Sequence, residues 1–340
     1  MTTLTQLPII DLSRADPSAG PGSAEALRAD LLAAAHDVGF FYLTGHGITA
    51  AQQAELFSVA GDFFALPEEQ KRAIENVHSP HFRGWTRLGG ERTQGQQDWR
   101  EQIDIGPERA AQSATADTPW AVLEGPNLWP SDLPRFREVV ESWTSAVSGV
   151  AVRLLQEWAQ ALGQDRHVFD AAFDEPSTLL KIVRYPGRDP EASGSTQGVG
   201  AHKDSGVLTL LLVEPGKAGL QVEHHGSWID APPVEDAFIV NIGELLEVAT
   251  DGYLKATVHR VVTPPAGQTR VSVPFFFNPN LSARIPRLTL PPALAREATG
   301  VTVDADNPIH ETYGANALKS RLRAHPDVAA LQHPELVAAR

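Results

Sequence analysis

The chain has 340 residues, 42% of them hydrophobic and 21% charged, proportions that suit a folded protein able to bury one large or two modest cores. Its formal net charge is −14 with no cluster of Lys and Arg, which disfavours a nucleic-acid or anionic-membrane partner, because each needs a concentrated basic face. It contains no cysteine, so disulfides, thiolate metal sites and cysteine nucleophiles are excluded, and any metal must be held by nitrogen and oxygen.

The leading stretch MTTLTQLPIIDLSRADPSAG lacks the basic start and apolar core of a signal peptide, and no apolar run is long enough to span a bilayer; the expected setting is cytoplasmic. LPIIDL predicts a short strand. SAEALRADLLAAAHDVG predicts a helix with Ser23 at its N-cap and Leu27, Leu31, Ala34 and Val38 on one face. FFYLTGHGI predicts a strand closed by a Gly-His-Gly turn. Thr49 and Gln52 have capping-box spacing for the next helix, and Pro67 opens a further short one. Residues 76–130 are polar, rich in Gly, Arg, Gln and Trp and without periodicity, so a long functional loop is expected there. Residues 134–162 predict one long amphipathic helix that stops at Gly163.

From about 178 the pattern becomes short strands between Gly, Pro or Asn turns: TLLKIVRYPG, GVLTLLLV, GLQVEH, SWIDAP, AFIVNIG, YLKATVHRVVT and TRVSVPFFFN. That spacing suits a sandwich or barrel. The expected fold is mainly β with flanking helices around a jelly-roll core. Residues 308–324 return to a helical pattern.

In GVGAHKDSGVLTLLL, His202 and Asp204 stand two apart, so in an extended strand both side chains point the same way. By itself this also reads as an ordinary polar strand end. A third donor, His259, stands on another predicted strand. Two histidines and a carboxylate on one face leave coordination positions open, the arrangement of non-haem Fe(II) oxygenases, although zinc accepts the same donors. Eleven residues after His259, Arg270 and Ser272 share a strand face. A surface arginine on an edge strand is the plain alternative, but the flanking VSVPFFFN marks a central, buried strand. A buried guanidinium needs an anion, and its fork suits a bidentate carboxylate, with the serine hydroxyl as a further donor. The set therefore predicts a small dicarboxylate beside a metal.

These segments, in this order and over nearly the whole length, resemble the 2-oxoglutarate- and Fe(II)-dependent dioxygenases of the isopenicillin N synthase-like superfamily. LPIIDLSRADP and AAAHDVGFFYLTGHGI resemble its N-terminal domain, LLKIVRYPG the strand leading into the barrel, and GAHKDSGVLTLLL, AFIVNIGELLEVATDGYLKATVHRVV and RVSVPFFFNP its double-stranded β-helix, a cupin-like jelly roll. The resemblance implies an N-terminal mixed α/β dioxygenase domain over 1–125, a long support helix region over 126–175, the catalytic β-helix over 176–285 and a C-terminal helical extension over 286–340. Residue by residue it implies His202, Asp204 and His259 as iron ligands, and Arg270 and Ser272 as the grip on the distal carboxylate of 2-oxoglutarate, joined by the Tyr185 hydroxyl. Lys181 and Val183 share the face of Tyr185 by alternation; family members often carry Asn where Val183 stands, so one co-substrate contact is missing or replaced.

The activity that the resemblance implies is oxidation, foremost hydroxylation, of a C–H bond in a small molecule, with Fe(II) as cofactor, 2-oxoglutarate and O2 consumed, and succinate and CO2 released. Phe276 shares the face of Arg270 and in the family lines the substrate pocket; plain core packing is the equal alternative. The segment HFRGWTRLGGERTQGQQDWREQIDIG and the C-terminal helix are the expected remaining walls. In it Arg83, Arg87 and Arg92 are either partners of an acidic substrate or solvated, and Trp85 either stacks on a ring or pins the loop. Lys203 is expected to be solvated, and Asn241-Ile242-Gly243-Glu244 to be a structural turn. Two alternatives stand beside this reading: an oxidase of the same superfamily that draws all its electrons from substrate, and a non-catalytic sensor of a small acid. Tyr185 favours the co-substrate user, and the complete ligand set disfavours the sensor. Substrate, reaction outcome and oligomeric state are left open.

Overall fold

In a computed structural model, which describes residues 6–189, 197–301 and 307–338, two sheets of unequal size face each other across an apolar cluster. Residues 1–5, where the stretch tested for a signal peptide begins, lie outside the described residues. The elements run β1 (Ile9–Asp11), α1 (Ser23–Asp37), β2 (Phe40–Thr44), α2 (Ala50–Ala65), α3 (Glu68–Arg72), β3 (Gly84–Thr86), β4 (Arg92–Thr93), β5 (Gln96–Gln97), β6 (Glu101–Ile105) and α4 (Pro134–Ala161). Then come β7 (Leu179–Pro186), β8 (Gln197–His202), β9 (Leu208–Val213), β10 (Leu220–His224), β11 (Ser227–Asp230), β12 (Phe238–Ile242), α5 (Glu244–Ala249), β13 (His259–Val262) and β14 (Thr269–Phe277). The chain closes with α6 (Pro292–Ala295), α7 (Tyr313–Ala324), α8 (Pro326–Gln332) and α9 (Pro334–Ala338). Among the described residues no helix is long and apolar enough to cross a membrane.

The large sheet has the order β1-β2-β12-β9-β14-β7-β6-β3 and the small one β11-β10-β13-β8. From β7 onward strands alternate between the two sheets (β7, β9, β12 and β14 large; β8, β10 and β13 small), with the β10–β11 hairpin kept in the small one, the winding of a double-stranded β-helix. Strands β1, β2, β3 and β6 extend the large sheet, which therefore runs across the divisions expected at 125 and 176. On its outer face lies α4, whose stripe Phe136, Val140, Trp143, Val147, Leu154 and Trp158 is buried. Its N-cap, Leu133, makes no side-chain cap. A cap is worth ~1 kcal/mol and each buried large side chain ~1.5–3 kcal/mol, so the stripe, with ion pairs from Arg28 to Glu157 and Arg153 to Asp16, holds this helix without a cap.

Several local expectations change. The N-cap of α1 is Gly22 at φ 78°, not Ser23, which is the first helical residue; the left-handed glycine turns the chain into the helix. The capping box at α2 is present, with Thr49 Oγ1 accepting from Gln52 N and the Gln52 side chain accepting from Thr49 N at 2.9 Å. In YLKATVHRVVT only His259–Val262 is strand, because Lys255 N and Thr257 Oγ1 bond instead to Ala35 and Val38 carbonyls at the end of α1. The 76–130 region is not one long loop. It contributes β3 and β6 to the large sheet, and every residue of β6, sequence EQIDI, is buried. Its acids are partnered inside: Glu101 by Lys71, Arg184 and Trp85, and Asp104 by Lys181 and Arg321. With ion-paired acids at Glu101 and Asp104, only Ile103 and Ile105 remain to show an apolar alternation, too short a pattern to mark a strand.

Candidate functional site

His202 ends β8, Asp204 follows it, and His259 opens β13 directly opposite His202 in the antiparallel pairing. The His202 Nε2 and His259 Nε2 atoms lie 3.5 and 3.7 Å from Asp204 Oδ1, and donor atoms of the three residues are all within 4.8 Å of one another. Each imidazole is oriented from behind. His202 Nδ1 donates to Gly200 O at 2.8 Å and His259 Nδ1 to Thr257 O at 3.1 Å, which leaves both Nε2 lone pairs facing Asp204. Asp204 is tied in the same way: Thr209 Oγ1 and Asn241 Nδ2 donate to its Oδ2 at 2.5 and 2.8 Å, freeing Oδ1. Three donors aimed at one point, nitrogen and oxygen only, fit a single divalent ion bound on one face.

At Asp204 and His259 the electrostatics agree. Burial works against ionising Asp204, but the neighbouring His259 and His202 and the bond from Asn241 win and hold its carboxyl far below the ordinary range. Burial, then the His202 charge, pushes His259 down to about 4, so at neutral pH it is the unprotonated ligand form.

The expectation for Asn241 is corrected here. It is not merely part of a turn, since it pairs with Thr209 across β12 and β9 and both hold Asp204. The signal was available: a polar residue inside AFIVNIG, and another inside LTLLLV, each need a buried partner. Replacing Asn241 with Leu is expected to weaken Fe(II) binding roughly 10- to 100-fold in an anaerobic titration while leaving the far-UV spectrum unchanged.

The triad opens into a cavity of about 1040 Å3, and β14 forms one wall with Arg270, Ser272, Pro274 and Phe276, alternate residues of one face, continued by Asn278 just beyond it. Arg270 is 1% exposed, yet among the described residues its Nε and Nη1 have no hydrogen-bond partner. It pairs across the sheet with Tyr185, its Cζ 5.0 Å from the phenol ring, while Ser272 pairs with Val183. Burial draws the Arg270 guanidinium below its ordinary value, and Tyr185 and Glu214 pull the other way without closing an ion pair. Val183 is buried in the apolar cluster between the sheets rather than at the cavity wall.

Other expected residues divide. Phe276 is at the cavity, and so are Tyr313, Ala317, Ser320, Arg321 and Ala324 of α7 at helical spacing. Arg83 is also at the cavity and 6% exposed. Arg92 lies on its rim and donates to Gly95 O. Trp85 is a correction: it is 3% exposed inside the sheet, donates to Glu101 at 2.9 Å, and does not face the cavity. Arg87 also lies elsewhere, paired with Glu75 at 2.7 Å. Lys203 is not freely solvated but bonds Glu247 at 3.2 Å. Lys181 belongs to an ion network that was not foreseen, reaching Glu91 at 2.8 Å and Asp104 at 3.5 Å, with Arg100 joining Glu91 to Asp98.

Comparison with known proteins matches two family models, the non-haem dioxygenase in morphine synthesis N-terminal over residues 7–132 and the 2OG-Fe(II) oxygenase superfamily over 177–279. A 2-oxoglutarate-dependent dioxygenase of Dothideomycetidae sp. (strain 11243) is 34% identical, covering 98% of this chain and 94% of its own. A homoarginine-6-hydroxylase of Arabidopsis thaliana is 33% identical over 85% of this chain and 89% of its own. The crystal structure of a full-length Neurospora crassa protein in complex with alpha-KG shares the fold at a TM-score of 0.75, with 24% identity over 94% of this chain and 98% of that one.

Proposed function

The chain belongs to the 2OG-Fe(II) oxygenase superfamily, and we propose that His202, Asp204 and His259 hold its iron while Arg270, Ser272 and Tyr185 hold 2-oxoglutarate. It is a non-haem Fe(II), 2-oxoglutarate-dependent oxygenase. The bound ion supplies activation of O2, coupled to conversion of 2-oxoglutarate into succinate and CO2 and to oxidation of a substrate C–H bond. The protein supplies placement. Gly200 and Thr257 carbonyls hold the two rings, and Thr209 and Asn241 hold the carboxylate, so the three donors converge without side-chain freedom to lose. Arg270, fixed in a central strand, anchors one carboxylate of the diacid and so directs the other end toward the triad. Leu211, Leu220, Val261 and Phe276 give the cavity apolar walls that exclude water around the reacting carbon. The substrate is a small molecule, and hydroxylation is the outcome in keeping with the homoarginine-6-hydroxylase relatives.

The observation that carries this assignment is the pair of unspent N–H groups on buried Arg270, in the cavity where the three metal donors converge. The distal carboxylate of 2-oxoglutarate supplies the acceptor those groups lack, and a buried donor left unpaired costs ~1–3 kcal/mol. The test is spectroscopic. Anaerobic addition of Fe(II) and then 2-oxoglutarate should produce a weak visible charge-transfer band that needs both. Iron binding with no band would remove the 2-oxoglutarate assignment; no iron binding would remove the triad.

A further inference from the structure

Arg270 is not the only buried guanidinium without a counter-ion at this cavity. Arg83, just before β3, is 6% exposed; its Nη2 donates to Leu123 O at 3.2 Å and its Nε has no partner. The placement is built. The guanidinium lies against Gly106, where a Cβ would come within 2.0–2.1 Å of Cζ and both terminal nitrogens. The two acids nearest in charge are already committed: Asp104 to Arg321 and Lys181, and Glu124 to Arg109 at 2.7 Å. Among the described residues no carboxylate lies within ion-pairing distance of Arg83. Burial, then the Arg321 charge, draws its pKa down to about 10, which still leaves it charged at neutral pH. Beside it stand Arg321 and the Tyr313 hydroxyl from α7, and both face the same cavity.

The wall as a whole points the same way. It carries eight Lys and Arg side chains against three carboxylates, in a chain whose net charge is −14. Lys203, Arg100, Lys181 and Arg321 are paired with acids at or behind the wall, so the buried cations left for an anion in the cavity are Arg270 and Arg83. Its volume, about 1040 Å3, leaves ample room for a second small molecule beside one short diacid.

We propose that Arg83, flanked by Arg321 and Tyr313, is a second anion site that receives a carboxylate of the primary substrate, so that the enzyme oxidises a small carboxylic acid at a carbon away from that group. The proposal rests on the proposed function, in which Arg270 is occupied by 2-oxoglutarate. A substrate anchored on Arg83 is then held by one cavity wall while the co-substrate is held by another, and neither anion competes for the other's cation.

The test compares hexanoate, phenylacetate and 3-phenylpropanoate with their primary amides, titrated anaerobically by calorimetry into Fe(II)-loaded protein saturated with 2-oxoglutarate. At least one acid is expected to bind roughly 10- to 100-fold more tightly than its amide, and Arg83→Gln should erase that preference while leaving 2-oxoglutarate affinity unchanged. Gly106→Ala keeps the charge but displaces the guanidinium, so it should reproduce the loss, and it carries the test if Arg83→Gln does not fold. The proposal is overturned if acid and amide bind alike, if the preference survives both substitutions, or if the acids bind only by displacing 2-oxoglutarate. Should 2-oxoglutarate fail to bind the Fe(II)-loaded wild type, the Arg270 assignment falls instead, and the acid–amide comparison is then read on the Fe(II) protein alone.

Discussion

Arg270→Met should leave the melting temperature of the ligand-free protein unchanged or raise it, and should abolish the rise that 2-oxoglutarate produces in the wild type. The two halves have one cause. Arg270 is 1% exposed in a central strand, with Nε and Nη1 unpaired and only a phenol ring and a distant Glu214 for company. Burying an ion without a partner costs several kcal/mol, and replacing such groups by apolar side chains of similar volume is often neutral or stabilising by ~1–4 kcal/mol. The ligand-free fold therefore carries a cost at this position that a dicarboxylate relieves. At a co-substrate concentration of about 100 times its Kd, the wild type gains ~2.7 kcal/mol. In the variant, loss of a desolvated charge pair of ~2–5 kcal/mol should weaken 2-oxoglutarate roughly 30-fold or more, and most or all of the gain disappears. Differential scanning fluorimetry with and without 2-oxoglutarate reads both halves. A variant less stable than the wild type when ligand-free, yet still stabilised by 2-oxoglutarate, would mean that Arg270 is a structural cation.

The part of the site that was legible in the sequence owes its legibility to how side chains alternate. Arg270 and Ser272 at spacing two project from one face of β14 because strands have a two-residue period, and the same spacing at the end of β8 marks His202 and the Asp204 just beyond it as a pair. The jelly roll was legible because its strands lie between turn residues and are apolar on their inner faces. The rest was hidden for a common reason: its polar residues are buried. Strand β6 reads as loop because Glu101, Gln102 and Asp104 occupy positions where an apolar residue would have signalled a strand. Asn241 and Thr209 read as incidental because their partner, Asp204, is remote in sequence from Asn241 and meets both only across two strands. Trp85 reads as a candidate stacking platform because aromatic rings in loops often are; with β3 and β6 in place it is a sheet residue bonded to Glu101.

The same buried polarity yields the largest stability effect. Asp104→Leu is expected to destabilise the protein by ~3–5 kcal/mol, a fall in melting temperature on the order of 10 °C. Asp104 is 1% exposed on β6, bonded to Arg321 of α7, within 3.5 Å of Lys181 on β7, and accepting from Gln102 Nε2 at 2.6 Å. Lys181 keeps Glu91 when Asp104 is gone. Arg321 keeps only a long contact to His325, and it would then lie beside Arg83 with no carboxylate to neutralise either. The loss is therefore greater than for a pair on the surface, where the median is ~0–1 kcal/mol. The sign with pH follows from the shift. Burial opposes ionisation of Asp104, but Lys181 and Arg321 outweigh it and hold the carboxyl below its ordinary value. A carboxyl lowered in the folded state stabilises above its unfolded value, near pH 4, and that stabilisation fades as the pH falls further. The gap between wild type and Asp104→Leu should thus be full at neutral pH and shrink below about pH 4, as chemical denaturation at a series of pH values would read. A gap that stayed constant into acid would mean that Asp104 acts by its shape in the sheet rather than by its charge, and that α7 is held over the cavity by packing instead of by this ion pair.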